Sequence, residues 1–315
     1  MEPPGNESGF RLEVGPDGAG ERVDRFLAAR LPLSRSALRK LIEKGEVTLR
    51  GRTVRPGLRL AAGDVVEGRL PEQTSEEFRP EEIALRVLHE DRAVLAIDKP
   101  AGMTVHPTRT LRTGTVVNAL LGRYATLYVP GGDTERSGVV HRLDRDTSGV
   151  LLLALGQQAG ERLSEQFKKR SVEKEYVAVV HGVVEFDEGE VNEPIGRDPR
   201  RFDRRSVDRK AGREAVTVWC VEERLPGHTL LRLFPRTGRT HQIRVHMQHA
   251  GHPVVGDRLY LPGNRPPGEL LIDRQALHAL ALCFDHPETG ERLRVEAPLP
   301  DDMARLIERL RSGKS

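Results

Sequence analysis

Apolar residues recur at helical spacing in a few stretches of this chain and at strand spacing through most of the rest. Val23, Phe26, Leu27 and Leu31 fall at the three- and four-residue intervals of one helix face, and Pro32 ends the run. Ser34 or Ser36 is suited to cap a second helix carrying Leu38, Leu41 and Ile42, and Gly45 stands where a C-terminal glycine would close it. EVTLRGRTVRPGLRLAAGDVVE then reads as short strands broken by Arg-Gly, Pro-Gly and Ala-Gly-Asp turns. From Ile83 to about Pro300 the runs AVLAI, GVVHRL, VLLLAL, YVAVVHG, AVTVWCV and TLLRLF predict strands between Gly and Pro turns. Few helical patterns interrupt them, among them GERLSEQFKKR. A last helix from Asp301 sets Met303, Leu306, Ile307 and Leu310 on one face.

These patterns divide the chain. Residues 1–21, rich in Gly, Pro and acids, predict a flexible tail with one edge strand at Phe10 to Val14. Residues 22–68 form a small domain of two helices plus short strands, 69–82 a linker of Pro, Ser, Thr and Glu, and 83–315 a larger domain. Strands outnumber helices there without strict alternation. The expected class is α+β, with a mixed, largely antiparallel sheet around a central cleft.

Charge sharpens this picture. The formal net charge of +3 announces nothing, but Lys and Arg gather at 35–59 and 197–213 while acids gather at 72–82. Arg35, Arg39, Lys40, Arg50 and Arg52 lie where acids are sparse, which predicts an RNA-binding face on the small domain. Cys220 and Cys283 sit in apolar runs with no partner at metal-ligand spacing and read as buried core thiols of a reducing compartment. MEPPGNESGF has no apolar h-region and no run reaches membrane-spanning length, so a monomeric cytoplasmic protein is expected, with no membrane partner.

The chemistry concentrates in four segments, DKPAGMTVHP, HRLDRDTSG, EKEYVAVVHG and GRTHQIRVHM, each beside a strand-like run. No phosphate loop or nucleophile elbow is present. His246, His249 and His252 lack a completing carboxylate or Cys, so no metal is expected. His141, Asp144 and Ser148 crowd one loop, whereas a hydrolase triad assembles across a fold. Asp144 and Asp146 are an unconvincing glycosidase pair, which leaves one carboxylate. Ionised in a partly dry cleft, it would need a cation: Arg244, Arg142 or Arg145.

HRLDRDTSG, DKPAGMTVHP, KEYVAVVHG, GRTHQIRVHMQHAGHPVVGD and DRQALHALALCFDHPETG together resemble the RluA/RluD-type pseudouridine synthases, from about residue 83 to 310. SRSALRKLIEKGEVTLRGRTV resembles the RNA-binding module of ribosomal protein S-four. The resemblance implies an isomerase that breaks the uracil N1–ribose bond, turns the base and rejoins it through C5, without cofactor or metal. It implies Asp144 as the essential carboxylate and Arg244 as its basic partner. It makes Tyr176 the residue that stacks on the uracil, its phenol helping to move the C5 proton. Arg142 fills the space of the flipped nucleotide, and Ile243 is a pocket wall. VNEPIGRDPRRFDRRSV is most similar to the RluD branch, implying 23S ribosomal RNA, or the large-subunit precursor, at helix 69. Other ribosomal or transfer RNA sites, or a catalytically silent RNA-binding assembly factor, are the alternatives.

Overall fold

The structure, a computed structural model, describes residues 9–31, 33, 35–69, 79–108, 110–124, 138–261 and 271–313. Two compact units divide the chain between Glu77 and Phe78.

The first unit contains β1 (Gly9–Glu13), α1 (Val23–Ala28), α2 (Arg35–Glu43), β2 (Val47–Leu49), β3 (Arg52–Thr53) and β4 (Val65–Arg69). Its antiparallel sheet runs β1-β4-β2-β3. Val23, Phe26, Leu27, Leu38, Leu41 and Ile42 from the helices close on Val14, Val47, Leu60 and Val66 in one core. Each such side chain taken from water contributes roughly 1.5–3 kcal/mol. Gly45 adopts φ +80°, and Gly45 and Glu46 donate to the carbonyls of Ile42 and Leu41, ending α2 as its position predicted.

Two expectations need correction here. The expected edge strand is present as β1, but residues 9–21 around it are not a flexible tail: β1 pairs with β4 from Gly9–Arg69 to Glu13–Val65, and Val14 is buried. The backbone ladder supplies what the Gly- and Pro-rich composition concealed. The basic face is also less uniformly positive than the sequence suggested. Arg39 pairs with Glu43 at 2.9 Å and Arg50 with Asp64 at 3.1 Å, whereas Lys40 and Arg52 stand exposed. The Ser34 cap, Pro32 and the side chains of Arg35 and Ser36 lie outside the described residues.

The second unit contains β5 (Arg86–Glu90), β6 (Val94–Lys99), α3 (Val116–Arg123), β7 (Ser148–Ala154), α4 (Gln157–Lys169), β8 (Glu173–His181) and β9 (Glu188–Asn192). There follow β10 (Ile195–Arg197), β11 (Arg205–Val207), β12 (Val216–Leu225), β13 (His228–Pro235), α5 (Gln242–His249), β14 (Leu277–Asp285), β15 (Arg292–Glu296) and α6 (Asp301–Arg311). Nine strands form one sheet, ordered β5-β6-β7-β14-β8-β13-β12-β9 with β15 on β14; β10 and β11 make a separate hairpin. Among the described strands only β7 and β14 pair in parallel, at Ser148–His278 and Gly149–Ala279. Gly149 has φ +112°, and a Cβ there would lie 2.1 Å from the Ala279 carbonyl oxygen, so the crossing admits only glycine. Met303, Leu306, Ile307 and Leu310 of α6 pack on the sheet as their spacing predicted.

Other readings change. Part of the expected linker is built into this unit: the Asn118 side chain donates to the Arg79 carbonyl at 2.9 Å, and Glu81 accepts from Gly114 N at 3.0 Å. GVVHRL is not a strand beyond a single bridge from Val139 to Leu153. QIRVHMQH, beside the strand-like reading of GRTHQIRVHM, is helix α5, and Gln242 to Met247 are all buried. A helix buried all round loses the 3.6-residue stripe that would identify it. VVNALL forms most of helix α3, which a Thr115–Asn118 capping box opens. Cys220 and Cys283 are half-buried rather than core thiols, because their positions on β12 and β14 face arginines across the strand pairs.

Candidate active site

HRLDRDTSG is irregular from His141 to Thr147 and enters β7 at Ser148, and most of its residues are fastened. Thr147 N donates to the Asp144 carbonyl at 3.1 Å, closing a tight turn over Arg145 and Asp146. The Lys99 ammonium donates to the carbonyls of Pro100, Met103 and Arg145 at 2.8, 2.9 and 3.0 Å. Lys99 is fully buried. Burial pushes it down to about 7 against the opposing pull of Asp146, but three carbonyls for three N–H groups is the geometry of an ammonium. Beneath the turn, Gln275 donates to Thr147 Oγ1 at 3.0 Å and Ser148 Oγ meets His278 Nδ1 at 2.9 Å. His141 Nε2 accepts from Leu152 N at 2.8 Å, so its lone pair is spent on the backbone. His141 and Ser148 therefore face different partners, and the hydrolase triad has no geometry here.

Asp144 ends this scaffold with its side chain 24% exposed. Arg244 reaches it from α5: Nη1 donates to Asp144 Oδ2 at 2.8 Å. The same guanidinium is gripped behind by Asp257, Nε to Oδ2 at 2.6 Å and Nη2 to Oδ1 at 2.8 Å. Asp257 is wholly buried and also accepts from Leu259 N and Tyr260 N. Burial opposes the charge on Arg244, but Asp257 and then Asp144 outweigh it and hold the guanidinium above its ordinary value. Asp144 Oδ1 has no hydrogen-bond partner among the described residues. One oxygen is thus tethered and the other is presented to the cleft.

The start of α5 is equally constrained. Gln242 Oε1 accepts from Thr237 Oγ1 at 2.6 Å and Arg239 N at 3.0 Å, while its amide donates to Val216 O at 2.9 Å. His241 sits before it in the left-handed region, φ 57°. Its Nδ1 lies 2.9 Å from Tyr260 Oη and its Nε2 4.0 Å from Asp144 Oδ2. Burial keeps His241 below its ordinary value although Asp144 pulls the other way. Tyr260 also stacks near the Arg244 guanidinium, 5.0 Å from ring centre to Cζ.

These groups open on a cleft of about 1030 Å³. All four sequence segments reach it: Thr104 to Pro107, His141 to Asp144, Lys174 and Tyr176, and Gly238 to Arg244. Eight basic residues line it (Arg142, Lys168, Arg170, Lys174, Arg213, Arg236, Arg239 and Arg244), and Asp144 is the one carboxylate among its described lining residues. The crowding is measurable. Burial first, then Arg170 and Arg239, push Lys174 down to about 8; burial, then Arg213 and Arg170, lower Arg239. Like charges held together at such cost mark a seat for a polyanion.

The expected site residues converge. Tyr176 lies on β8 at the cleft wall, where burial and then the Asp144 charge push its phenol far above the ordinary value. At neutral pH it offers a ring face and an O–H, not a phenolate. Ile243 is buried in the lining, and Arg142 is exposed at it, without an ion-pair partner among the described residues. Arg145 turns away to Gly102 O at 3.0 Å, and Asp146 lies half exposed 4.0 Å from Arg145 rather than beside Asp144. The residues 35–52 named for RNA belong to the first unit, not to this cleft. Asp257, His241 and Tyr260 were missed. Asp257 lies in GHPVVGD, but the second acceptor that a buried guanidinium needs is not legible until that burial is known. His246 is closed to a metal because Thr217 Oγ1 and Glu193 O occupy its two nitrogens. No cluster able to hold a metal ion occurs among the described residues.

Residues 93–249 match the RNA pseudouridylate synthase family model, and residues 21–66 match the S4 domain. The chain is 44% identical over 320 residues to "Ribosomal large subunit pseudouridine synthase D" of Xanthomonas campestris pv. campestris, covering 98% of this chain and 95% of that protein. It is 42% identical to "Uncharacterized RNA pseudouridine synthase YlyB" of Bacillus subtilis, covering 93% and 95%. In three dimensions it is similar to "Human RNA Pseudouridylate Synthase Domain Containing 4", with TM-score 0.55, 26% identity, and 72% and 93% of the two chains covered. With an N-terminal S4 module, a matching family model and close relatives over nearly its whole length, the chain belongs to the RNA pseudouridine synthase family.

Proposed function

We propose that this enzyme isomerises uridines of large-subunit ribosomal RNA in the helix 69 stem-loop, with Asp144 as the essential carboxylate. The observation that carries the chemistry is the cleft itself: one carboxylate, tethered at one oxygen, faced by a wall of cations. A nucleotide flipped from a stem-loop brings phosphates that the cations attract and a base that the apolar wall of Ile243 and Tyr176 accepts. Arg142, exposed on the cleft lining and without an ion-pair partner among the described residues, is suited to fill the gap left behind. The free oxygen of Asp144 then meets the ribose, where the N1–C1′ bond breaks and a C5–C1′ bond replaces it. Attack at C1′ and removal of the C2′ proton both begin from that oxygen. The C5 proton is lost at the end and N1, freed from C1′, gains one from water, so product and substrate are isomers and the balance requires no co-reactant. Arg244, fixed by Asp257, keeps the carboxylate aimed throughout.

The ribosomal target rests on the name of the Xanthomonas campestris relative and on the S4 module, whose exposed Lys40 and Arg52 supply a second basic surface. The reading includes a monomeric enzyme working in the cytoplasm; among the described residues no helix is long and apolar enough to cross a membrane. Carbodiimide mapping of pseudouridine tests the proposal. Large-subunit RNA from cells lacking such enzymes is treated with wild type or Asp144→Asn. Stops in the helix 69 loop with wild type alone are expected. Stops elsewhere overturn the target, and equal stops with both proteins remove Asp144 from the mechanism.

A further inference from the structure

The hairpin of β10 and β11 carries a side chain that neither the catalytic cleft nor the core uses. Phe202, in the seven-residue connection between its strands, is 95% exposed. A single exposed apolar residue is ordinary on any surface, so its surroundings decide. The connection is a braced loop: Asp198 Oδ1 accepts from Arg200 N and Arg201 N at 2.9 and 3.2 Å. Arg204 N donates to Arg201 O at 3.1 Å and Asp198 N to Arg204 O at 3.3 Å. The ring is therefore held out from a closed turn. Exposed Arg200 and Arg201 precede it and Asp203, paired with Arg201 at 2.8 Å, follows, while residues 196–214 carry eight basic against four acidic residues. Phe186 is a useful contrast. It is 69% exposed, but Glu185, Asp187 and Glu188 surround it in sequence, and no polyanion would settle there.

The root of the hairpin is fixed to the catalytic group. Arg205 N donates to Tyr260 Oη at 2.9 Å, and the Arg204 guanidinium lies 4.9 Å from the Tyr260 ring centre. The same ring contacts Arg244. Three residues of chain span at most about 11 Å, so Phe202 stands within that reach of Arg205, whose N–H is bonded to Tyr260.

We propose that Phe202 is a stacking platform for an unpaired base of the RNA substrate, next to the nucleotide that enters the cleft. The inference rests on the RNA reading above. Stacking suits this position because every base has a π-face and the braced loop has little freedom left to lose, while the neighbouring arginines follow the phosphates.

Binding of the full-length protein to the helix 69 stem-loop, read by fluorescence anisotropy over a range of salt, tests it. Phe202→Ala is expected to weaken binding roughly five- to 150-fold, as loss of one stacked base does. Phe202→Leu should lose most of the same affinity, and Phe202→Trp should keep it. The salt slope should be equal for all, since no charge changes. Affinity of Phe202→Ala within twofold of wild type overturns the proposal. So does full affinity for Phe202→Leu, which would signify plain apolar burial. Unchanged binding to naked RNA with weakened binding to the assembling subunit would assign the ring to a protein instead. Failure of the RNA reading looks different: wild type itself would then bind no stem-loop and form no pseudouridine.

Discussion

Arg244 stands between two carboxylates, and neutralising each in turn separates scaffold from chemistry. In Asp257→Asn one carboxylate oxygen becomes an amide that faces a guanidinium N–H. Of the two bonds at 2.6 and 2.8 Å, one is lost and becomes a donor–donor clash. Arg244 and Asp257 are 8% and 0% exposed, so water cannot repair the loss. Breaking a buried pair from one side costs about 3–5 kcal/mol. For a unit of this size that lowers Tm by roughly 6–20 °C. In Asp144→Asn the amide can turn its oxygen to Arg244 Nη1, and Asp257 still neutralises the guanidinium. A charge-assisted bond becomes a neutral one, at a cost of about 1 kcal/mol, discounted further because Asp144 is partly exposed. Urea and thermal unfolding followed by Trp219, the one tryptophan, report on this unit directly. Release of tritium from RNA labelled at uridine C5 reports turnover. Asp144→Asn is expected to fold almost as wild type and release none. Asp257→Asn is expected to be markedly less stable and slower, with its residual activity lost on mild heating. Equal destabilisation by both variants would make Asp144 part of the scaffold and refute the division of labour.

Arg239→Ala should weaken RNA binding and lower the slope of log affinity against log salt by about 0.7–0.9, one phosphate contact's worth; an unchanged slope would remove Arg239 from the RNA path. Burial keeps His278 down to about 4 and His141 down to about 3. The unfolded chain therefore binds more protons below pH 6.5, and stability should fall by about 1.4 kcal/mol per pH unit for each histidine as pH drops toward 4. Chemical denaturation between pH 7 and 5 checks this, and a flat profile would contradict it. Gly149→Ala meets the Ala279 carbonyl and a left-handed backbone, so a loss of about 2–6 kcal/mol is expected, read as a lower unfolding midpoint. Deleting the N-terminal unit should weaken binding to ribosomal RNA while leaving the catalytic unit folded, as near-ultraviolet dichroism would show.

Much was legible in the sequence because it is local. Helix α6 and the first helices announced themselves through apolar spacing, and Gly45 through its place after a helix. HRLDRDTSG stood out because so much charge between two apolar runs has few uses. The elements that misled were those whose environment is tertiary. Helix α5 is buried from Gln242 to Met247, so those residues carry no amphipathic stripe, and the residues around the expected edge strand read as a tail because β1 owes its order to β4, more than fifty residues away. The site divides the same way. Asp144 and Arg244 could be named as a carboxylate and a cation in need of each other, but they are brought together across the fold. Asp257 could not be chosen from the chain alone, because one carboxylate among many gains its role only when burial leaves a guanidinium no other acceptor. The cationic wall was hidden for a related reason. Lys174, Arg170, Arg213 and Arg239 come from separated segments, and only the sheet and its loops crowd them into one cleft whose described lining holds a single carboxylate.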